Sequence, residues 1–262
     1  LRNFAVRSTH VPELPSSRPP APIRVLEQAE LPPLRLLTWN IAGDGVSHRA
    51  PSSWTVADKI TAVQMEIRRW GPDILALQEC ISASPLDRSS KTFDLIDAKE
   101  THAGWLHLYV RTGFATTQVS VPLTGPGVMG TFRIGEKDVD ILAMHLVPGE
   151  GPMLAQQRLT QIKQAVRKKT SCLCLAMGDF NVRDGEIETI QRSCKMNDTI
   201  YAGRSWDPRK SRYYANLEEY KGAGHRFDRI FRSGIAVVQA FLVGEPRIFS
   251  QGEKFALSDH HG

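Results

Sequence analysis

The stretch VMGTFRIGEKDVDILAMHL (128–146) predicts a β-hairpin. Two apolar, strand-like runs flank a turn at Gly135-Glu136-Lys137, and the second run ends by delivering His145. Just downstream, Ala155, Leu159, Ile162 and Val166 recur at helical spacing, between Pro152 and the basic Arg167-Lys168-Lys169. Proline at the first turn and cations at the last suit the two ends of a helix. SCLCLAMGDFNVRDG (171–185) then reads as a strand breaking into a polar loop. Upstream of the hairpin, TFDLIDA (92–98), WLHLYVR (105–111) and FATTQVSVPL (114–123) read as strands joined by short turns, with no good helix among them. That stretch is expected to be mainly antiparallel.

Further out, LRLLTWN (34–40) reads as a buried strand, and a Thr55-x-x-Asp58 capping box precedes a helix in which Val56, Ile60, Val63 and Ile67 repeat. DILALQE (73–79) is a short apolar run opened by Gly71-Pro72 and closed by Glu79. RFDRIF (226–231), AVVQAFLV (236–243) and ALSDHHG (256–262) complete the strand candidates. Strands, a helix, strands, a helix and strands again predict an α/β fold of two sheets packed face to face with helices outside.

Residues 1–33 hold seven of the sixteen prolines and have no apolar periodicity, so they read as a disordered Pro-rich tail or linker. The remaining 34–262 suit one domain with a large core. No run of eighteen apolar residues and no signal-peptide core appears, which predicts a soluble, unsecreted protein. Four irregularly spaced cysteines (Cys80, Cys172, Cys174, Cys194) read as reduced, buried thiols, not a disulfide framework. A net charge of +5 fits a polyanionic partner such as nucleic acid, although many ordinary proteins share it.

Asn40, Glu79, His145, Asp179, Asn181, Asp228 and Asp259-His260 all fall at or near the ends of apolar strands. Singly, each reads as a turn former, a cap or a satisfied polar group. Jointly they supply what phosphodiester hydrolysis needs. The scissile group gains charge at its equatorial and leaving oxygens, so the site requires a hard cation, fixed donors and a carboxylate that orients water. Glu79, Asp259 and Asn40 offer hard oxygens suited to Mg²⁺ or Mn²⁺. His145, His260 and Asn181 offer donors to phosphate, and Asp179 is left to orient or deprotonate water. Asp228 is placed to hold His260 in one tautomer and favour its cation. Zinc fits less well, because the adjacent histidines of DHH point to opposite faces if they lie on a strand; His261 is expected to face away.

TWNI (38–41), LQE (77–79), MHL (144–146), GDFN (178–181) and SDHHG (258–262) resemble, in order, the motifs of the endonuclease/exonuclease/phosphatase superfamily of metal-dependent phosphoesterases. The resemblance runs from about Leu34 to Gly262. It implies a four-layer α/β sandwich of two mixed β-sheets, a single essential Mg²⁺ and the residue roles given above. GDFNVRD (178–184), HRFDRIF (225–231), Trp206-Asp207 and TFDLIDAKETHAGWLHLYVR (92–111) are similar to one branch, the 5′-tyrosyl-DNA phosphodiesterases. These remove tyrosine left on DNA 5′ ends by topoisomerase II and leave a 5′-phosphate. The implied partner is thus a DNA 5′ end carrying a tyrosyl adduct, with no membrane and a monomeric, intracellular, nuclear or cytoplasmic enzyme. By the same resemblance Gln78, Asn181 and Arg183 contact the substrate near the phosphate, while Trp206 and Phe227 wall the groove; core packing is the competing reading of both aromatics. The alternatives are an abasic-site endonuclease, an RNA or phospholipid phosphoesterase of the same superfamily, or a weakly active nucleic-acid-binding relative.

Three departures stand out. Where the branch carries Glu-Ser after the histidine, this chain has Val147-Pro148, and proline offers neither hydroxyl nor amide proton, a loss of roughly 1 kcal/mol for a simple hydrogen bond. AGDGVSHRAPSSW (42–54) is a longer loop than the branch implies. No strand follows SDHHG, so the domain is expected to lack its last strand and to support the site loosely; a start at Leu1 without methionine reads as a fragment.

Overall fold

The computed structural model describes residues 25–26, 33–48, 50–84, 92–114, 118–199, 201, 203–207, 213, 224–237, 239–240, 242–244, 247–250 and 253–262. In chain order they form β1 (Val25–Leu26), β2 (Leu36–Asn40), α1 (Val56–Trp70), β3 (Ile74–Cys80), β4 (Phe93–Thr101) and β5 (Gly104–Arg111). There follow β6 (Gln118–Val121), β7 (Gly127–Ile134), β8 (Lys137–His145), α2 (Pro152–Val166), β9 (Leu173–Asp179) and α3 (Ile187–Cys194). The last are β10 (Asn197–Asp198), β11 (Asp228–Ser233), β12 (Ala236–Val237), β13 (Arg247–Ser250) and β14 (Glu253–Phe255).

Local chemistry sets the helices. Thr55 and Asp58 form the expected reciprocal capping box, and α1 stops where Gly71 takes a left-handed conformation at φ 55°. Pro152 stands at the first turn of α2, as its fixed φ favours. Two of the helices link parallel strands: β2 pairs with β3 across α1, and β8 with β9 across α2. Antiparallel neighbours extend each pair into a mixed sheet, β2-β3-β5-β4 on one side and β10-β11-β9-β8-β7-β6 on the other. β1-β12 and β13-β14 form two further two-stranded sheets.

Alternation along the strands builds the layers. Leu36, Ile74, Ala76, Leu106 and Leu108 meet Phe132, Val139, Ile141, Leu175 and Met177 in one buried core between the two sheets. The opposite faces carry Leu37, Trp39, Leu75 and Leu77 against Val63 and Ile67 of α1, and Leu142, Met144 and Ala176 against Ile162 of α2 and Ile190 of α3. The result is the four-layer α/β sandwich. No helix of the described residues is long and apolar enough to cross a membrane.

Several expectations need correction. ALSDHHG is not a strand: the side chain of Ser258 and the carbonyl of Ser205 take the amides of His260 and His261, and His260 makes only an isolated bridge to Trp206. Of AVVQAFLV, only Ala236–Val237 is strand, while residues 238 and 241 lie outside the described set. FATTQVSVPL contributes Gln118–Val121, with 115–117 likewise outside. The cysteines are free, but Cys172 is exposed ahead of β9 and only the other three are buried. Within the stretch read as a tail, Val25–Leu26 pair antiparallel with β12; residues 1–24 and 27–32 lie outside the described set.

Candidate active site

Register brings the polar residues together. His145 is paired with Asp179 across the parallel β8 and β9, and Asp179 with Asp228 across the antiparallel β9 and β11. A single row at one edge of the six-stranded sheet therefore carries all three. Facing it, Asn40 closes β2, and Glu79 lies at a bulge of β3 with φ 56°. Both βαβ units thus open onto the carboxyl ends of their parallel strands, where α/β folds place their ligands.

The backbone is strained around this edge. Among the described residues, four non-glycines have positive φ, and three of them, Ala42, Glu79 and Asn181, are in or beside the site. Gly178 explains the first letter of the GDFN motif. Its φ is 148°, and a Cβ there would stand 2.0 Å from the Met144 carbonyl oxygen, so any side chain would force β8 and β9 apart.

Asn40 joins the two halves. Its Nδ2 donates to Glu79 Oε1 at 2.8 Å and to Asp179 Oδ2 at 3.1 Å, while its Oδ1 accepts from the Ala42 amide at 2.9 Å. Asp179 Oδ1 accepts from the Asn181 amide at 2.9 Å. Asn181 Nδ2 donates to the Leu146 carbonyl at 3.0 Å, leaving its second N–H for another acceptor. Asp259 is partly exposed, and its Oδ2 accepts from Trp206 Nε1 at 3.1 Å.

The two histidines differ sharply. His260 Nδ1 lies 2.8 Å from Asp228 Oδ2, and its Nε2 faces Asp179 Oδ2 at 3.9 Å. Burial pulls this imidazole down, but Asp228, Asp179 and Asp259 outweigh it and hold the pKa well above the ordinary value. His145 is pushed down to about 4 by burial, against the pull of Asp179 and with the push of His102 and His260. Its Nε2 lies 3.7 Å from both Glu79 Oε1 and Asp179 Oδ2. One imidazole is therefore a cation beside its carboxylate and the other is neutral at pH 7.

A wall runs away from these groups. The Arg183 guanidinium lies 4.4 Å over the Phe227 ring, which stacks on His225 at 4.9 Å and 17°; His225 in turn stacks on Trp206 at 6.1 Å and 19°. Phe227 is buried and Trp206 half-buried. Arg183 also donates to the Asn181 carbonyl at 2.6 Å and faces Glu150 at 3.6 Å. Gln78 stands apart from the other expected contacts. It is fully buried on the inter-sheet face and hydrogen-bonded to Thr38 at 3.1 Å, beneath the site and not at its surface.

Several residues that the sequence reading did not single out hold these parts in place. Lys59 of α1, 1% exposed, donates from Nζ to the carbonyls of Ala42 (3.0 Å), Gly43 (3.1 Å) and Gly45, locking the loop that follows Asn40. Burial lowers its pKa to about 8 against the pull of Asp259, Glu79 and Asp44. A lysine four positions before Val63, on the apolar face of a helix, is a signal the sequence does contain. Ser205 Oγ accepts from the amides of Phe227 (2.9 Å) and Asp228 (2.8 Å), and its carbonyl accepts from His261 (2.6 Å). It thereby fixes the two segments that pair Asp228 with His260, and nothing in the sequence around it announces this. Arg158, fully buried, clamps Glu186 through two bonds and the carbonyls of Val147 and Gly149, so the loop carrying Pro148 is tied from beneath.

Among the described residues no three or more His, Cys, Asp and Glu side chains converge as a metal-binding group. The donor set still suits a hard divalent ion. Glu79 and Asp259 are two carboxylates within electrostatic reach of one another, and burial with the Asp259 and Asp179 charges raises the Glu79 pKa. Asn40 turns Nδ2 to Glu79 and Asp179 and Oδ1 to the Ala42 amide, so it braces the carboxylates and offers an ion only the second lone pair of Oδ1. An ion of the Mg²⁺ type takes one or two carboxylates and keeps its waters, which these residues satisfy without a protein cage.

The sequence pattern of the Endonuclease/Exonuclease/phosphatase family matches residues 37–260. Among solved structures, D. rerio TDP2 complexed with a single-strand DNA product superposes with a TM-score of 0.63 at 17% identity, over 86% of this chain and 95% of that one. TDP2 from C. elegans superposes at 0.61 with 20% identity, over 86% and 72%. The human Nocturnin catalytic domain with bound sulfate superposes at 0.56 with 17% identity, over 91% and 94%. At these identities the likeness is one of fold. No curated protein matches the chain by sequence.

Proposed function

The chain belongs to the Endonuclease/Exonuclease/phosphatase family, hydrolases of phosphoester bonds, and from that premise we propose that it is a divalent-metal-dependent phosphodiesterase that removes tyrosine from DNA 5′ ends. The observation that carries the reading is the junction of two features. The cationic His260-Asp228 pair stands beside Asp179, and the Arg183-Phe227-His225-Trp206 wall leads away from it. The first suits a phosphoryl group, and the second a stacked base or phenol. That a TDP2 of the same fold is seen with a single-strand DNA product supports the choice of polymer.

Glu79, Asp259 and Asn40 would hold Mg²⁺ or Mn²⁺. Such an ion, when bound, supplies charge that neutralises the phosphoryl oxygens. The chain's own groups do the rest. Asp179, with one oxygen fixed by the Asn181 amide, orients water toward phosphorus. His260 presents an N–H on Nε2 to the charge that develops on the phosphoryl oxygens. Water's oxygen bonds to phosphorus, its proton passing to Asp179, as the bond to the tyrosyl oxygen breaks, giving a 5′-phosphate and a tyrosyl phenolate that takes up a proton from solvent. Phenol has a pKa near 10, far below an aliphatic alcohol, so its departure needs electrostatic help more than a proton. Monomeric action and a nuclear or cytoplasmic location are part of the same proposal.

The test offers purified protein a 5′-tyrosyl oligonucleotide, an abasic duplex and a short poly(A) RNA, with Mg²⁺ or with EDTA. Release of tyrosine in Mg²⁺ only is the expected result. An abasic cut or RNA loss with the tyrosyl end intact assigns the chain to another activity of the family, and no cleavage in any metal overturns the enzymatic reading.

A further inference from the structure

The hydroxyl of Thr101 has one proton, and its neighbours determine where it points. At the end of β4, Thr101 Oγ1 donates across the hairpin turn to the Gly104 carbonyl at 2.8 Å. The same oxygen lies 3.2 Å from His145 Nδ1. With the hydroxyl proton engaged on Gly104, the oxygen meets Nδ1 as an acceptor, so Nδ1 must carry the hydrogen. In the neutral ring that leaves the lone pair on Nε2, the atom facing Glu79 and Asp179 at 3.7 Å each. The ring has little freedom to turn: it is 1% exposed, packs against His102 with centroids 4.4 Å apart, and its backbone amide is held by the Pro126 carbonyl.

We propose that Thr101 is a positioning residue that sets the tautomer of His145, with hydrogen on Nδ1 and an acceptor on Nε2, so that this imidazole receives a hydrogen bond from the reacting water. The inference rests on the phosphodiesterase reading and deepens it. It also reverses the role expected for His145 from sequence, since a neutral ring in this tautomer has no proton to offer a phosphate. The two imidazoles then divide the work on either side of Asp179 Oδ2, His145 at 3.7 Å and His260 at 3.9 Å. His260, fixed at Nδ1 by Asp228, faces the phosphoryl group as donor. His145, fixed at Nδ1 by Thr101, faces the water as acceptor. A hydroxyl suits this use better than a carboxylate would, because it directs the tautomer without a charge that stabilises the imidazolium.

The test reads the tautomer directly. The full chain, with ¹⁵N-labelled histidine, is examined by two-bond ¹⁵N–¹H correlation near pH 7.5 in EDTA and in Mg²⁺, with the His145 signals identified by their loss in H145Q. The expected spectrum has a protonated Nδ1 and an unprotonated Nε2. Thr101→Ser should keep that pattern, and Thr101→Val, which keeps the shape and removes the oxygen, should move the hydrogen to Nε2. On the 5′-tyrosyl oligonucleotide, T101V should lose roughly 10-fold or more in kcat, with KM within about 2-fold, because one acceptor of the reacting water is lost while substrate contacts remain. A wild-type spectrum with hydrogen on Nε2, or a T101V spectrum like wild type, overturns the proposal. If T101V does not fold, the wild-type and T101S spectra decide alone. The spectrum requires no substrate, so the expected tautomer without tyrosine release would overturn only the phosphodiesterase reading.

Discussion

Asp179 is the residue on which both sheets converge. Asn40 reaches its Oδ2 from one sheet, and His145 and Asp228 flank it in the other. On the proposed mechanism Glu79→Ala and Asp179→Ala should each lower kcat by at least about 10³-fold, since one removes a carboxylate of the proposed cation site and the other the group proposed to orient water. Tyrosine release in single-turnover assays measures this, and near-normal rates in either variant would sink the mechanism. His107 tests electrostatics away from the chemistry. It is buried in β5 with Nδ1 2.7 Å from the Tyr109 hydroxyl, and burial pulls its pKa down to about 4. The unfolded chain, near 6.5, binds the proton more tightly, so this group destabilises the fold as pH falls from about 6.5 toward 4 and has no effect well above that window. Between pH 7 and 5 its share of lost stability is about 2 kcal/mol. In urea unfolding, His107→Gln should therefore show a shallower fall over that range than wild type; equal slopes would refute the assignment. Residues of the motifs were legible because each combines a reactive side chain with the end of an apolar run. Thr101 and Ser205 were not, since a hydroxyl that acts by hydrogen bonding to chain dozens of residues away leaves no local pattern.

The elements whose local signals agreed with their tertiary role were the readable ones. α1 has its capping box, its apolar stripe and a terminal glycine, and the hairpin β7-β8 turns at Gly135-Glu136 as the alternation required. α3 has only eight residues, and its apolar positions Ile187, Ile190 and Cys194 give little more than two turns of pattern next to the polar loop of the site. Among the described residues β13 and β14 pair with each other alone, and no long apolar run marks them. α2 does more than its amphipathic pattern foretold, because Arg158 on its buried side holds Glu186 and the 147–149 loop at once. Arg158→Met should cost roughly 3–5 kcal/mol, as it strands the Glu186 carboxylate and two carbonyls in a mostly dry setting. Chemical denaturation reads this directly. A loss below about 1 kcal/mol would mean that water or another side chain satisfies these groups and that the loop beside His145 is held by other means.

At the scale of the whole molecule, the site forms only when distant parts of the chain meet. Trp39 Nε1 donates to the His260 carbonyl and Ser258 Oγ to the Asn40 carbonyl across sequence separations of 221 and 218 residues. The segment bearing Asp259 and His260 belongs to no sheet. Beyond those two bonds its contacts include the His261 amide on Ser205, a pair of backbone bonds between Gly262 and Val243, the His260-Asp228 pair, the Trp206 Nε1 bond to Asp259, the isolated bridge of His260 to Trp206, and the burial of Ala256, Leu257, Ser258, His260 and His261. Each such bond contributes about 1 kcal/mol net, against a global stability of about 5–15 kcal/mol that resides in the inter-sheet core. Residues 258–262 should therefore open without unfolding the sandwich. Native-state hydrogen exchange offers the measurement: the amides of His260, His261 and Gly262 should exchange with a lower opening free energy and almost no urea dependence, while those of Ile141 and Leu175 should follow global unfolding. Enzyme activity should then fail at lower urea than the circular-dichroism signal, and Ser258→Ala should widen the gap by removing the bond to Asn40. Equal exchange free energies for the segment and the core would show instead that the site and the sandwich form one cooperative unit, with the few bonds around His260 much stronger than their number suggests.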